Sequence, residues 1–276
     1  MFLLVDQSSD PETELAKDEA LIDVLDVATT IEISDVVREA SPKTNIPTFE
    51  LLRLWEFTRP VAVMGRSSRI SQEINTKTCE QEHVPYLRRA SGGASIVAGP
   101  GCLMYTLLID YRKRPAWRML DVAHSEVMKG LSVAVQNSLD AFNLDLKVNW
   151  QGTCDLTIDG KKFSGNALRC RRNFMIYHGT ILLHMPLENI SRYLLLPPRQ
   201  PEYRNGRDHS DFVRNLLPDG FHHQIEFKHH LIEQLSIAWE AHESWANFPY
   251  RHQWQSRTEE LLEQKYLSPN WHRERL

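Results

Sequence analysis

Leu15, Ala20, Leu21, Val24 and Leu25 recur at helical spacing within PETELAKDEALIDVLD, and the acidic residues ahead of them suit a helix N-terminus. The period then changes. TFELLRLWEF reads as a strand, PVAVMGR as a second strand ending at Gly65-Arg66, and SRISQEINTKTCEQEH as a helix leading into VPYLRR. MLDVAHSEVMKGLSVAVQNSLDAFN carries apolar residues every three or four positions without a proline and predicts the longest uninterrupted helical pattern of the middle of the chain. LKVNW follows, then two strands that meet at Asp159-Gly160, a hairpin-turn pair, and MIYHGTILLHM as a central strand. The proline- and arginine-rich stretch LPPRQPEYRNGRDHSDFVRNL reads as an extended loop, and HHQIEFKHHLIEQLSIAWEAHE and SRTEELLEQKYL as closing helices. Strands, a long helix, more strands and then helices predict an α+β fold with a mixed, mostly antiparallel sheet flanked by helices.

The chain has 276 residues, enough for one large core, and 42% hydrophobic with 25% charged residues is an ordinary globular balance. A net charge of -4 argues against a general nucleic-acid binder, which carries a basic surplus. No run approaches the roughly 20 apolar residues of a membrane span, and MFLLVDQSSDPETE lacks the basic-then-apolar order of an export signal. The expectation is a cytoplasmic protein with neither nucleic acid nor membrane as partner. Cys79, Cys102, Cys154 and Cys170 show no metal-ligand spacing, so reduced thiols are expected. The histidine pairs of FHHQIEFKHHLIEQ point neighbouring rings to different helix faces, which favours a surface helix over a metal site.

Two stretches carry chemistry. In YLRRASGGASIVAGPG, the pair Gly92-Gly93 lets backbone N–H groups approach a ligand, and Arg88 and Arg89 offer bidentate donors to carboxylate or phosphate. The same letters also fit a glycine turn with two surface arginines; neither a phosphate-loop nor a dinucleotide fingerprint is present. In CDLTIDGKKFSGNALR, alternation along a strand turns one of Lys161 and Lys162 outward and the other inward. An inward lysine beside a glycine can stabilise charge on a transferring carbonyl or phosphate, whereas the bland alternative is two exposed lysines at a hairpin tip.

Taken in order, these segments resemble the lipoate-protein ligase and octanoyltransferase branch of the biotin/lipoate ligase superfamily. ELAKDEALID is similar to the family's first-helix motif, LRLWEFTRPVAVMGR to its strand pair ending in Gly-Arg, and EIN to the segment after it. RRASGGASIVAGPG resembles its Arg-Arg-x-Ser-Gly-Gly-Gly loop, DGKKFSGNA its Gly-x-Lys-x-Ser-Gly-Asn/Ser-Ala motif, and YHGTILL its His-Gly-Thr-Leu-Leu strand. The resemblance implies that Lys162 contacts the acyl carbonyl and the α-phosphate. It also implies that Arg88, Arg89, Ser91, Gly92, Gly93, Ser164, Gly165, Asn166, Ala167, His178 and Gly179 surround the acyl chain and its adenylate. It implies an enzyme that uses ATP with Mg2+ to convert lipoate, or octanoate, into an acyl-AMP. That group then passes to a lysine of an acceptor domain in a 2-oxoacid dehydrogenase or glycine-cleavage protein.

The departures from the pattern are specific. The third loop glycine is Ala94, a histidine common a few residues later is replaced around Ala98, and a common Asn-Asp-Leu triplet is Cys154-Asp155-Leu156. Asp155 is the metal or nucleotide candidate, beside the reading of a strand-edge carboxylate. Cys154 keeps open an ATP-independent acyltransferase that would take octanoate from acyl carrier protein through a cysteine thioester. The usual position of that cysteine is occupied by Phe174, with Cys170 out of register. A binding module without chemistry is the third reading, and the arginines of the 197–216 stretch are candidates for the acceptor's docking face, beside the reading of a solvated loop. The expected organisation is a single catalytic domain over 1–276, its core about 12–245, with a helical extension 246–276 and no separate accessory domain.

Overall fold

The computed structural model describes residues 1–6, 9–38 and 47–275, and of residues 32–38 only the backbone. In chain order the elements are β1 (Phe2–Val5), α1 (Pro11–Arg38), β2 (Leu51–Trp55), β3 (Val61–Met64), α2 (Ile70–Glu73), α3 (Thr76–Gln81) and β4 (Tyr86–Arg88). Then come β5 (Ile96–Ala98), β6 (Cys102–Asp110), α4 (Leu120–Ala141), β7 (Asn149–Gln151), β8 (Asp155–Ile158), β9 (Lys161–Cys170) and β10 (Phe174–Leu182). The chain closes with α5 (Glu188–Tyr193), α6 (His209–Phe212), α7 (Gln224–Ala238), β11 (Glu243–Ser244), α8 (Arg251–Leu261) and α9 (Pro269–Arg273).

Eight strands form one sheet in the order β11-β1-β2-β6-β10-β9-β8-β7, and a smaller sheet runs β4-β3-β5. β1 is parallel to both β11 and β2, and β3 to β4; the remaining pairs are antiparallel, so the fold is α+β with mixed sheets. Side-chain alternation divides the large sheet into two buried faces. Leu52, Leu54, Leu103, Leu107, Met175 and Ile181 point to one face, where α4 and α7 cover them. Leu51, Trp55, Met104, Leu108, Ile176 and Leu182 point to the other, where α1, the small sheet and the C-terminal helices close a second core.

Several elements differ from the sequence expectation. β1 was not anticipated, because a four-residue apolar run at a chain start carries no usable period. The stretch 68–83 forms two short helices instead of one: Ile74 leaves the helix to bridge Leu194, and Asn75 caps α3 by accepting from the Thr78 N–H. The arginine-rich stretch expected as a loop contains α6 and a short 3-10 turn, Glu202–Arg204. α7 ends at Ala238, short of the expected helix, and the helix beginning at Arg251 passes into a π-helical turn, Leu262–Tyr266. The Asp159-Gly160 hairpin is formed as expected, with positive φ at both residues (52° and 70°) as a type I′ turn requires. Among the described residues no helix is long and apolar enough to cross a membrane.

Candidate active site

A cavity of about 190 Å3 opens between the α1 face of the large sheet, the small sheet and the 194–213 segment. Its walls are mainly apolar, with Leu15, Trp55, Phe57, Val97, Met104 and Leu182 among them, and Lys162, Arg89, Glu73 and Arg199 bring charge to it. The volume lies below the roughly 300–1,000 Å3 of sites for drug-sized ligands, so it suits a small apolar chain carrying a charged end.

Lys162 enters this cavity because of a bulge. β8 and β9 pair Leu156 with Ser164 but Thr157 with Lys162, which leaves Phe163 unmatched and re-aims the strand at the lysine. Lys162 Nζ pairs with Asp155 Oδ1 at 2.7 Å, and the Tyr203 hydroxyl donates to Asp155 Oδ2 at 2.8 Å. The lysine lies across Gly165: a Cβ there would stand 2.4 Å from both Lys162 Cε and Nζ. Lys162 is therefore the inward member of the lysine pair, and Lys161 does not line the cavity.

The two arginines part company. Both are buried, but Arg88 ends β4 pointing away from the cavity, and its guanidinium donates to the carbonyls of Gly65 (3.0 Å), Ser68 (2.8 Å) and His272 (3.2 Å). The expectation that Arg88 meets ligand charge is thus corrected: strand alternation sends it into the C-terminal segment, where it is an anchor. Arg89 does line the cavity, yet its donors go to Ser91 Oγ (3.0 Å), to the Val63 (3.3 Å) and Ala94 (3.1 Å) carbonyls, and to the Gly92 carbonyl. It organises the loop from within instead of reaching out as a free fork. Burial without a carboxylate on hydrogen-bonding terms pushes the guanidinium down to about 10, so an anion in the cavity would find a cation short of compensation. Gly93 is held at φ 89°, where a Cβ would also meet Arg89 Nη2 at 2.8 Å; Ala94 contributes its carbonyl, which alanine supplies as well as glycine.

Register separates the remaining candidates. Gly165, Ala167, His178 and Thr180 share the cavity face with Asp155, whereas Ser164 pairs with the core residue Leu156 and faces α4. Asn166 points the same way: it donates to the Cys154 carbonyl at 2.7 Å and accepts from the Tyr105 hydroxyl. Gly179 leaves room for that amide, since a Cβ would fall 1.8 Å from Asn166 Oδ1. Ser164, Asn166 and Gly179 line the cavity, with the Ser164 and Asn166 side chains turned toward the α4 face of the sheet. Ser91 and His178 are bonded to each other at 2.6 Å, and Gly92 and Gly93 complete the loop beside them.

Cys154 packs against the α4 core, with its thiol bonded to the Asn166 carbonyl at 3.3 Å. Burial and the neighbouring Asp155 push that thiol up, and Lys162 does not reverse the balance. A thiol held in this way disfavours the lysine-activated thiolate on which the alternative reading rests. Cys170 sits exposed at the far end of β9, and neither cysteine lines the cavity. The docking expectation for the arginine-rich stretch also changes. Arg204 is buried and Arg207 donates to the Gly160 and Tyr203 carbonyls, while Arg214 pairs with Asp159; Arg199 is exposed at the cavity rim.

Two carboxylates at the site were not singled out from sequence. Glu73 accepts from the Ser95 N–H (2.9 Å) and hydroxyl (2.7 Å), tying down the end of the loop. Asp18 accepts from His178 Nδ1 at 3.0 Å. Its signal was present: an acid in the helix row of Leu15, Ile22 and Leu25 faces the core, where a carboxylate persists only with partners. Among the described residues no group of three or more His, Cys, Asp or Glu side chains is placed to hold a metal ion.

The match to known proteins agrees with this arrangement. A putative lipoate-protein ligase A of Schizosaccharomyces pombe is 29% identical over 138 residues, covering 50% of this chain and 35% of that protein, so the aligned part spans about a third of the relative. An archaeal bi-partite lipoate protein ligase from Thermoplasma acidophilum, solved in a study that includes its E2 lipoyl domain, superposes with a TM-score of 0.72 at 19% identity. That superposition covers 100% of this chain and 96% of the other. A lipoate-protein ligase A bound with ATP gives 0.68 at 18% identity, covering 100% and 99%. At these identities the structures show a shared fold, and the sequence match sets the membership: with residues 26–235 matching it, the chain belongs to the lipoyl protein ligase A/B catalytic domain family.

Proposed function

We propose that the protein activates lipoate, or the shorter octanoate, with ATP and transfers the acyl group to a lysine of an acceptor lipoyl domain. The observation that carries the reading is Lys162, aimed across Gly165 into an apolar cavity that has no nucleophilic thiol on its wall. The names of the relatives and the ATP-bound neighbour support the same chemistry. The apolar walls take the acyl chain. The acid's carboxylate oxygen attacks the α-phosphorus of ATP, and pyrophosphate leaves. The acceptor amine then attacks the acyl carbon, AMP leaves, and the amine loses a proton as the amide forms.

Lys162 holds a positive charge where negative charge develops on the carbonyl and α-phosphate oxygens, exchanging its Asp155 partner for the reacting group. Magnesium carried on nucleotide phosphates asks a protein for only one or two carboxylates, and Asp155 beside Lys162 is the side chain that fits; the ion would offset phosphate charge. The acceptor belongs to the 2-oxoacid dehydrogenase or glycine-cleavage class. Lys162→Ala should lower acyl transfer by about 10²–10³-fold, the scale for losing one transition-state charge donor. Lys161→Ala should stay near wild type. The rate of mass gain of a lipoyl-free acceptor domain with lipoate and MgATP measures both, and equal losses in the two variants would remove the assignment.

A further inference from the structure

Beneath the cavity lies a run of bonds that starts in the core and ends in the loop. Arg53, fully buried on β2, donates to Asp18 Oδ1 at 2.6 Å and also binds Asp6 (2.9 Å) and Glu14. Lys17 bridges Asp6 (2.9 Å) and Glu14 (3.0 Å), so three carboxylates face two cations. The Thr106 hydroxyl adds a donor to Asp18 at 2.9 Å. Burial pushes the Asp18 carboxyl up, but the His178 bond and the Arg53 charge outweigh it and hold it below the ordinary range. An ionised carboxylate only accepts, so His178 must donate to it through Nδ1. On the other side of the ring, Arg89 Nε–H donates to Ser91 Oγ at 3.0 Å, which directs the serine's own proton to His178 Nε2 at 2.6 Å.

We propose that Asp18 is a positioning residue, acting through His178 and Ser91 to fix the Arg89 guanidinium and with it the Ser91–Ala94 loop that closes the cavity. The acceptor-only carboxylate at one end and the donor-only guanidinium at the other fix the two outer bonds, and a neutral ring then sets the direction of the Ser91–His178 bond between them. Arg89 distributes that order to the loop through the Gly92 and Ala94 carbonyls, while Glu73 pins Ser95 from the opposite side. The effect on substrate rests on the acyl-activation reading above.

The test uses the whole chain. Long-range 1H–15N correlation of the histidine rings, with His178 assigned by its loss in His178→Gln, should show the wild-type proton on Nδ1. Asp18→Asn keeps the volume and leaves Arg53 with Asp6 and Glu14, but it turns a donating amide toward the ring. The proton should then move to Nε2, and lipoate affinity by calorimetry should fall about tenfold, the weight of one hydrogen bond to a charged group. MgATP affinity should stay within about twofold of wild type, since the relay ends at the acyl loop. A wild-type proton on Nε2, or Asp18→Asn with unchanged lipoate affinity, would overturn the proposal. If the wild type neither binds lipoate nor forms an acyl-AMP, the ligase reading is what fails, and the ring proton still decides whether the relay exists.

Discussion

Gly165 and Lys162 illustrate how a backbone position can decide where a charged side chain lies. A methyl at 165 clashes with the far end of a flexible lysine, 2.4 Å from Cε and Nζ, and meets Asp155 Oδ1 at an ordinary 3.5 Å, so the fold can absorb it while the lysine cannot stay where it is. Gly165→Ala should therefore separate activity from stability. Acyl transfer should drop by about tenfold or more as the charge is displaced by an ångström or so, while the thermal midpoint moves little. A loss of midpoint in proportion to the loss of rate would assign Gly165 to folding instead. The paired arginines make a related point. Adjacent residues at a strand end face opposite ways, so the sequence carried enough information to split Arg88 from Arg89. It did not carry the destination of each guanidinium, because Gly65, Ser68 and His272 reach Arg88 through tertiary structure.

At the scale of elements, periodic segments were legible and contact-dependent ones were not. α4 follows its apolar spacing nearly to the residue, and the Asp159-Gly160 turn and β10 stand where turn chemistry and an apolar run placed them. β1 and the break between α2 and α3 depend on partners distant in sequence, β2 for the first and Leu194 for the second. The bulge at Phe163, which aims Lys162, is likewise a property of two strands together. α9 gives a testable consequence of such long-range packing. His272 accepts the Arg88 backbone N–H at Nδ1 (2.9 Å), and its Nε2–H donates to the Tyr266 carbonyl (2.7 Å), an arrangement that needs the neutral ring. Burial lowers its affinity for a proton from the ordinary 6.5. The unfolded segment then binds more protons than the folded one as pH falls below 6.5, so stability is fully present above that value and is lost on acidification. Hydrogen exchange of the 266–275 segment, corrected for intrinsic rates, should show protection falling between about pH 7 and pH 5. Unchanged protection across that range would contradict the neutral buried ring.

Considered whole, the molecule assigns the two faces of one sheet to two tasks. α4 and α7 seal one face with an apolar core that also takes in Cys154, Tyr105 and the Asn166 amide. The other face carries the cavity, with charged groups drawn from β9, α1, α2, the loop after β4 and the 194–213 segment. Family membership was legible because the motif order survives in the chain; the division of labour within each motif was not, since it depends on which side of a strand each residue faces. The central claim is that an ATP-activated acid, and no cysteine thioester, supplies the acyl group. Intact mass of a lipoyl-free acceptor domain, after incubation with the wild-type protein, tests it most directly. With lipoate and MgATP the acceptor should gain one lipoyl group, with octanoyl-acyl carrier protein and no ATP it should stay unmodified, and Cys154→Ala should behave as wild type. Acceptor modification without ATP, accompanied by a hydroxylamine-sensitive octanoyl adduct on Cys154 or Cys170, would contradict the account.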